Sequence, residues 1–336
     1  MPRPDRSGGS PAAANDAGTN DPDDLSACYS FRGLPLRRPS AMLSNLWRLP
    51  TVGLLWLLHF LPLAAIAASG RQLGRVLYAL GERRRRVVQV NLALCFPELD
   101  AARREQLAKA HFQALARSLL ERSLFWWSSR KRLSQLIRVE GEEKIHALRA
   151  AGQPVILLAP HFVGLDAGGV AIAMRFDSVS IYAAQSNPLF NRLLLKGRRR
   201  FGDQLLLSRQ DGARATIKAM KSGRPLYYLP DLNARRRDSI FVPFFGVQAA
   251  TISGLSRLAK AAGAAVVPCV TEMLPGDWGY RVVIGDPWPD FPTADVEADT
   301  ARMNAWIEAA VRTMPEQYYW VHRRFKTRPE GEARPY

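Results

Sequence analysis

The amino-acid sequence predicts an α/β fold, with a central, largely parallel sheet that is flanked by helices. One observation is a series of short apolar runs after Pro154 that are typical of buried strands: VILLA, SVSIYAA, PLYYLP, AAVVPCV and YRVVIG. A second is that helical stretches lie between some of these runs, around 191–200, 214–221 and 255–262. The length of 336 residues, 47% of them hydrophobic, is enough for one large α/β domain or two small ones.

Residues 1–41 are predicted to form a disordered tail. They are rich in Pro, Gly, Ser, Ala, Asn and Asp and have almost no apolar periodicity. Met42, followed by LSNLWRLP, would make a plausible native start, so the tail is a candidate for a mis-assigned beginning of the chain.

Residues 42–70 predict a membrane-anchoring helix. The stretch from Thr51 to Ser69 contains 19 residues without Asp, Glu, Lys or Arg. As one helix it would extend about 28 Å, close to the hydrocarbon thickness of a bilayer, with a kink at Pro62. Arginines on both sides leave its orientation undecided. The alternative is a buried core helix, and a cleaved signal peptide fits poorly because of the length and position of the stretch.

Residues 71–330 are predicted to form the main domain, which begins with a basic helical region from Glu82 to Trp127. Its arginine block, 83–86, is either a solvated face or, beside a membrane segment, a contact for anionic headgroups worth ~1 kcal/mol per basic residue. The whole chain has a formal net charge of +17. This charge predicts an anionic partner, which is nucleic acid, anionic lipid or a phosphorylated substrate.

Cysteine usage and missing motifs exclude several kinds of protein. The three cysteines, Cys28, Cys95 and Cys269, form no CxxC pair, which argues against a disulfide framework or a cysteine zinc site. The sequence contains no GxSxG, GxxxxGK[ST] or HExxH motif, and GLDAGG lacks the GxGxxG spacing. A serine hydrolase, a P-loop NTPase, a zinc metalloprotease and a dinucleotide-binding enzyme are therefore poorly supported.

His161 and Asp166 lie in the segment VILLAPHFVGLDAGG, just after a predicted strand. A neutral imidazole can accept a proton from a hydroxyl group near neutral pH, and a carboxylate beside it can orient it. On one continuous helix the two side chains would lie ~140° apart. They converge only if His161 lies in a turn and Asp166 in the first turn of a following helix. The alternative is a buried, hydrogen-bonded histidine with a structural role.

Three further segments follow in order: QSNPLFNRLLLKGRRRFG, PDLNARRRDSIFVPFFGVQAATISGLSRLAK and EQYYWVHRRFKTRPEG. Together with HFVGLD they resemble the lipid A late acyltransferases, lauroyl- and myristoyl-transferring enzymes of Gram-negative inner membranes, within the lysophospholipid acyltransferase superfamily. The resemblance runs from about Met42 to the C-terminus. It implies an acyl carrier protein thioester as the donor, an anionic glycolipid acceptor with a phosphorylated glucosamine disaccharide, and no cofactor or metal.

The resemblance also implies roles for individual residues. His161 is expected to act as general base, with Asp166 as its orienting partner and without a covalent acyl-enzyme. Arg198 or Arg200 is the candidate donor to the developing oxyanion; the alternative is that this arginine run only faces headgroups. The residues expected to bind substrate are Asn187, Arg198, Arg200, Asp231, Arg323 and Arg324.

Three details of these segments carry separate expectations. Pro230-Asp231 matches the family pattern, but the next residues, Leu232, Asn233 and Ala234, depart from it. For Phe244 and Phe245, core packing is favoured over a wall of the acyl pocket. His322 is a second candidate base that ranks below His161, because its surroundings are basic.

These expectations describe a membrane-associated acyltransferase at the cytoplasmic face of the bacterial inner membrane. The partners are acyl carrier protein, the glycolipid acceptor and the membrane, and nucleic acid is not expected. The alternatives are a lysophospholipid acyltransferase and a non-enzymatic basic protein that binds anionic membrane or nucleic acid. The second of these explains the charge of +17 but not the motifs HFVGLD and FVPFFG together.

Overall fold

A computed structural model describes residues 48–183 and 187–336 of the chain. The expected tail over 1–41 and the alternative start at Met42 lie outside these residues. Five helices come first in the described part, before any strand. Their bounds are α1 Arg48–Leu58, α2 Leu63–Leu80, α3 Glu82–Cys95, α4 Ala101–Trp127 and α5 Arg130–Leu136.

The expected single apolar helix is instead two helices, α1 and α2, with a turn between them. Pro62 has no backbone N–H and its ring clashes with the preceding turn, so a helix cannot continue through it unbroken. Arg132 of α5 stabilises the turn by donating to the backbone oxygens of His59 and Leu61. In the described part of the chain, no helix is both long and apolar enough to cross a membrane. The expectation of one continuous helix is therefore corrected, and the membrane-anchoring role of residues 42–70 stays a prediction.

Helix α2 packs closely along α4. A Cβ atom added at Gly70 would lie 2.5 Å from the Cα of Arg117, and one added at Gly74 would lie 2.5 Å from the Cα of Gln113. Only glycine allows this approach of the two backbones. Ile66 and Ala67 of α2 are fully buried as a result, which ties the apolar N-terminal segment to the domain.

A seven-stranded sheet forms the centre of the domain, in the order β1-β9-β8-β2-β5-β3-β4. The strand bounds are β1 Ile137–Glu140, β2 Val155–Leu158, β3 Val179–Tyr182, β4 Leu205–Ser208, β5 Leu226–Tyr228, β8 Ala265–Met273 and β9 Tyr280–Ile284. All neighbours are parallel except β8 and β9, which form an antiparallel pair. The prediction of a central, largely parallel sheet is confirmed.

Helices cover the two faces of this sheet. Their bounds are α6 Glu142–Ala150, α7 Leu165–Ala173, α8 Pro188–Arg198, α9 Gly212–Lys221, α10 Gly254–Ala262 and α11 Val296–Thr313. The three helical segments expected between the apolar runs correspond to α8, α9 and α10. A separate hairpin of β6 Ile240–Phe244 and β7 Val247–Thr251 packs against α11. Phe244 and Phe245 are buried there, so the preference for core packing is confirmed.

Candidate active site

A cleft of about 2310 Å³ opens beyond the carboxyl ends of β2, β3 and β5. In sheets of parallel strands this edge is the usual place for ligands. Part of the cleft has an apolar lining, which includes Phe125, Trp126, Val170, Leu194, Leu206 and Ile217. Another part is basic and includes Arg235, Arg236, Arg237, Arg257, Arg323 and Lys326. The cleft therefore offers surface to both an apolar chain and an anionic group.

His161 lies on the wall of this cleft and pairs with Asp231. Strands β2 and β5 are neighbours in parallel register, with Ile156 opposite Leu226, and the two side chains follow these positions by the same number of residues. The Nδ1 atom of His161 lies 2.6 Å from Oδ1 of Asp231, and the backbone N–H of His161 donates to Oδ2 over 2.9 Å. The imidazole, 16% exposed, is thus oriented by a fully buried carboxylate.

The charge of Asp231 is maintained by this pairing. Burial alone would raise the pKa of Asp231, but the imidazole of His161 and the hydrogen bonds that it donates hold the pKa below its ordinary value. A carboxylate in this position can accept the Nδ1 proton, and in the neutral tautomer that this hydrogen bond favours, the lone pair is on Nε2 of His161. This is the arrangement of a general base and its orienting group.

Asp166 lies in the first turn of α7, as its spacing from His161 suggests, but its carboxylate contacts other residues. It accepts from Nε of Arg122 over 2.7 Å, and Arg198 lies 3.7 Å away. Burial would raise the pKa of Asp166, and the two guanidinium groups hold it below its ordinary value. The expected pairing of Asp166 with His161 is corrected, because the register of β2 and β5 gives the Nδ1 side of His161 to Asp231.

We expect Asp166→Asn to lower the free energy of unfolding by about 2–3 kcal/mol at pH 7, since it leaves two part-buried arginines without their shared anion. The folded-state pKa of Asp166 is below its ordinary value, so this stabilisation is present above that value and is lost as the pH falls through the folded-state pKa. The difference between wild type and variant should therefore shrink below about pH 4.

Urea unfolding at neutral and acidic pH tests this expectation. Asp203→Asn is the matched control, because Asp203 pairs with Arg224 at the surface and should change the stability by less than about 1 kcal/mol. A difference for Asp166→Asn that stayed constant with pH would contradict the assignment.

Three residues expected to bind substrate instead hold the fold together. Arg200 donates to the backbone oxygens of Phe125 and Ser128, over 2.7 and 2.6 Å. Arg324 is 2% exposed and donates to Ala250 O and Thr251 Oγ1. Asn187 caps α8, where its side chain accepts from the backbone N–H groups of Leu189 and Phe190. Of the expected residues, Arg198, Asp231 and Arg323 do line or adjoin the cleft.

Asn233, which departs from the family pattern after Asp231, has a structural role in this protein. Its side chain donates to Thr327 Oγ1 over 3.1 Å and accepts from the backbone N–H of Thr327 over 3.0 Å. Its backbone N–H donates to Nε2 of His322. Burial lowers the pKa of His322 to about 3, and the nearby His161 and Arg324 add to this effect. His322 is thus an acceptor within the fold, which agrees with ranking it below His161 as a base.

Arg122 is the site residue that sequence reasoning missed. It comes from α4, and it lies seven residues after Leu115 and three after Leu119, on the same face of the helix. An arginine that continues an apolar helical stripe requires a buried anion, and this signal was available in the sequence.

Comparison with a family model and with individual known proteins gives the same family in each case. The family model for bacterial lipid A biosynthesis acyltransferase matches residues 39–327. The chain is 36% identical over 281 residues to the lipid A biosynthesis lauroyltransferase of Escherichia coli, covering 83% of this chain and 91% of that protein. It is 32% identical to the E. coli palmitoleoyltransferase, covering 85% and 92%, and 32% identical to the myristoyltransferase, covering 79% and 82%.

Proposed function

Because the chain belongs to the bacterial lipid A biosynthesis acyltransferases, we propose that it transfers a fatty acyl chain from acyl carrier protein to a hydroxyl group of a lipid A precursor. The observation that carries the mechanism is the pairing of His161 with buried Asp231 on the wall of a cleft that is apolar in one part and basic in another. The apolar part suits the acyl chain, and the basic part suits the phosphates of the acceptor.

In the proposed reaction, Nε2 of His161 removes the proton from the acceptor hydroxyl. The hydroxyl oxygen attacks the thioester carbonyl, so a C–O bond forms and the C–S bond breaks. The leaving thiolate takes the proton back from the imidazolium, which Asp231 stabilises in the meantime. No acyl-enzyme is formed. Help of this kind from a general base is typically worth ~10² to 10⁴ in rate.

The developing oxyanion requires a donor within the same cleft. Arg122 and Arg198 both line the cleft and share the carboxylate of Asp166, which fixes their guanidinium groups on the cleft wall. A donor that is held in place before the reaction stabilises the transition state without reorganisation. We assign this role to Arg198, with Asp166 as its positioning residue and Arg122 as the second cation of the cluster.

The acceptor's phosphates are assigned to the basic part of the cleft. The backbone N–H of Tyr319 donates to the backbone oxygen of His161. Arg323 and Lys326 follow Tyr319 along the chain and line the same cleft as His161. Arginine forks match the geometry of phosphate oxygens. Arg235 and Arg236 extend this surface along the rim.

Membrane association is assigned to α1 and the turn that follows it. Leu54, Trp56, Leu57 and Phe60 are between 45% and 61% exposed there. Large apolar side chains grouped on the surface mark a contact with lipid or protein, and tryptophan favours the bilayer interface. On this proposal the enzyme lies against the cytoplasmic face of the inner membrane, where carrier protein and acceptor both have access.

Transfer assays with the purified wild-type protein test the proposal. The donors are lauroyl, myristoyl and palmitoyl thioesters of acyl carrier protein, and the acceptors are a tetra-acylated lipid A precursor and, for comparison, a lysophospholipid. We expect acylation of the lipid A precursor, and the preferred donor reveals the acyl chain length. Transfer to the lysophospholipid alone would overturn the acceptor, and the absence of transfer from every carrier-protein donor would overturn the donor.

A further inference from the structure

Helices α9 and α10 present a basic surface beside the cleft. They carry five basic side chains and no acidic one: Arg214, Lys218, Lys221, Arg257 and Lys260. All five are exposed, while Met220 of α9 and Leu255 of α10 are among the residues on the opposite, buried faces. The two helices pack against each other, so the five cations share one continuous surface, called here the α9–α10 surface.

In the described part of the chain, no carboxylate forms an ion pair with any of the five cations of the α9–α10 surface, whereas Arg224, nearby on the chain, pairs with Asp203. Asp295 and Glu297 line a surface pocket together with Arg257 but form no ion pair with it. Asp211, at the start of α9, is exposed, and its carboxylate accepts from the backbone N–H of Ser208. An uncompensated group of like charges attracts a partner of opposite charge and accelerates its association.

The chemistry of this surface fits a protein better than a bilayer. None of the large apolar side chains that are exposed in the described residues lies on α9 or α10. They cluster on α1, α2 and the turns near them, with Trp278 in the β8–β9 turn. A surface that enters a membrane needs apolar side chains to bury, whereas an acidic protein needs only complementary charge at the rim of the contact.

The position of the surface connects it with the donor. The inner sides of the same helices form part of the cleft wall, through Ala213 and Ile217 of α9 and Leu258 and Ala261 of α10. Arg257 of the α9–α10 surface lines the cleft as well, so a protein bound on this surface lies beside the cleft that contains His161. A flexible arm attached to such a protein can enter the cleft from there.

We infer that the α9–α10 surface is the docking site for the acyl carrier protein, an acidic protein that presents its thioester on a flexible arm. This inference rests on the proposed function, because it concerns the donor of that reaction. It assigns the carrier protein to a charged surface of which only Arg257 also lines the cleft, and it separates that contact from the lipid contact at α1.

Charge reversal on α9 tests the inference. Arg214→Glu/Lys218→Glu changes two exposed residues that do not line the cleft. With an acyl carrier protein donor we expect kcat/KM to fall about tenfold or more, and the salt dependence of kcat/KM to become weaker than in wild type. With an acyl-pantetheine donor, which has the arm but not the protein, the variant should match wild type within about twofold. Arg138→Glu/Arg103→Glu is the control, because Arg138 is exposed on β1 at the far edge of the sheet and Arg103 is exposed on α4.

Each other outcome has a distinct meaning. Equal loss with both donors, or equal loss in the control variant, would overturn the docking site. Unchanged kinetics together with reduced binding to phosphatidylglycerol vesicles would assign the surface to the membrane and also overturn it. If wild type uses acyl-pantetheine but no acyl carrier protein, the donor of the proposed function fails, and the docking site fails with it.

Discussion

Replacing His161 by alanine is expected to lower the rate of acyl transfer by a factor of ~10² to 10⁴ in a variant that still folds. The imidazole is the group on the cleft wall whose Nδ1 atom is bonded to a buried carboxylate, and the variant removes the base without touching the basic or apolar lining. Because proton removal occurs in the chemical step, the loss should appear in kcat and not in the KM of the acceptor. Steady-state assays with varied acceptor measure the two separately.

Removing the ring also deprives Asp231 of one partner, so a second variant is needed. His161→Gln keeps an amide N–H that can donate to the carboxylate but cannot act as a base, and it should lose as much activity as alanine. His146→Ala is the matched control, since His146 is exposed on α6, away from the cleft. Full activity in a folded His161→Gln variant would exclude His161 as the base.

The sequence predicted the sheet and the position of His161 because both depend on local patterns. The runs VILLAPH and PLYYLPD end two strands in the same way, with a proline and then a polar residue. If these strands are taken as parallel neighbours, His161 and Asp231 fall at the same level, which the register of Ile156 with Leu226 shows. The pairing of His161 with Asp231 could thus have been predicted from the sequence, whereas the HxxxxD spacing predicted Asp166 as the partner.

Other features depend on packing that no local pattern records. Arg198 and Arg200 are two residues apart, yet one adjoins Asp166 and the other is held by backbone oxygens at the end of α4. That difference is set by how α8 lies on α4. The turn at the break before Pro62 is likewise stabilised by Arg132, which comes more than 70 residues later and donates to the backbone oxygen of His59. Hydropathy alone predicted a longer helix with a kink.

Asp231→Asn is the second change with a large expected effect. The carboxylate orients His161 through Nδ1 and stabilises the imidazolium that forms when the hydroxyl proton is removed. An amide of nearly the same shape has no charge, and its NH₂ group can face Nδ1 and favour the wrong tautomer. We expect kcat to fall by ~10² to 10⁴, with a small change in the KM of either substrate. The same assays that measure the His161 variants measure this one.

Asp166→Asn provides the matched comparison, because both residues are buried or part-buried aspartates beside the same cleft. If Asp166 only positions Arg122 and Arg198, its replacement should weaken transition-state stabilisation by one donor, and Arg198→Lys should reproduce most of that loss. Asp231→Asn combined with His161→Gln should be little worse than either alone, since the two residues act as one unit. Additive losses in that double variant, or a non-additive result for His161 with Asp166, would return the orienting role to Asp166.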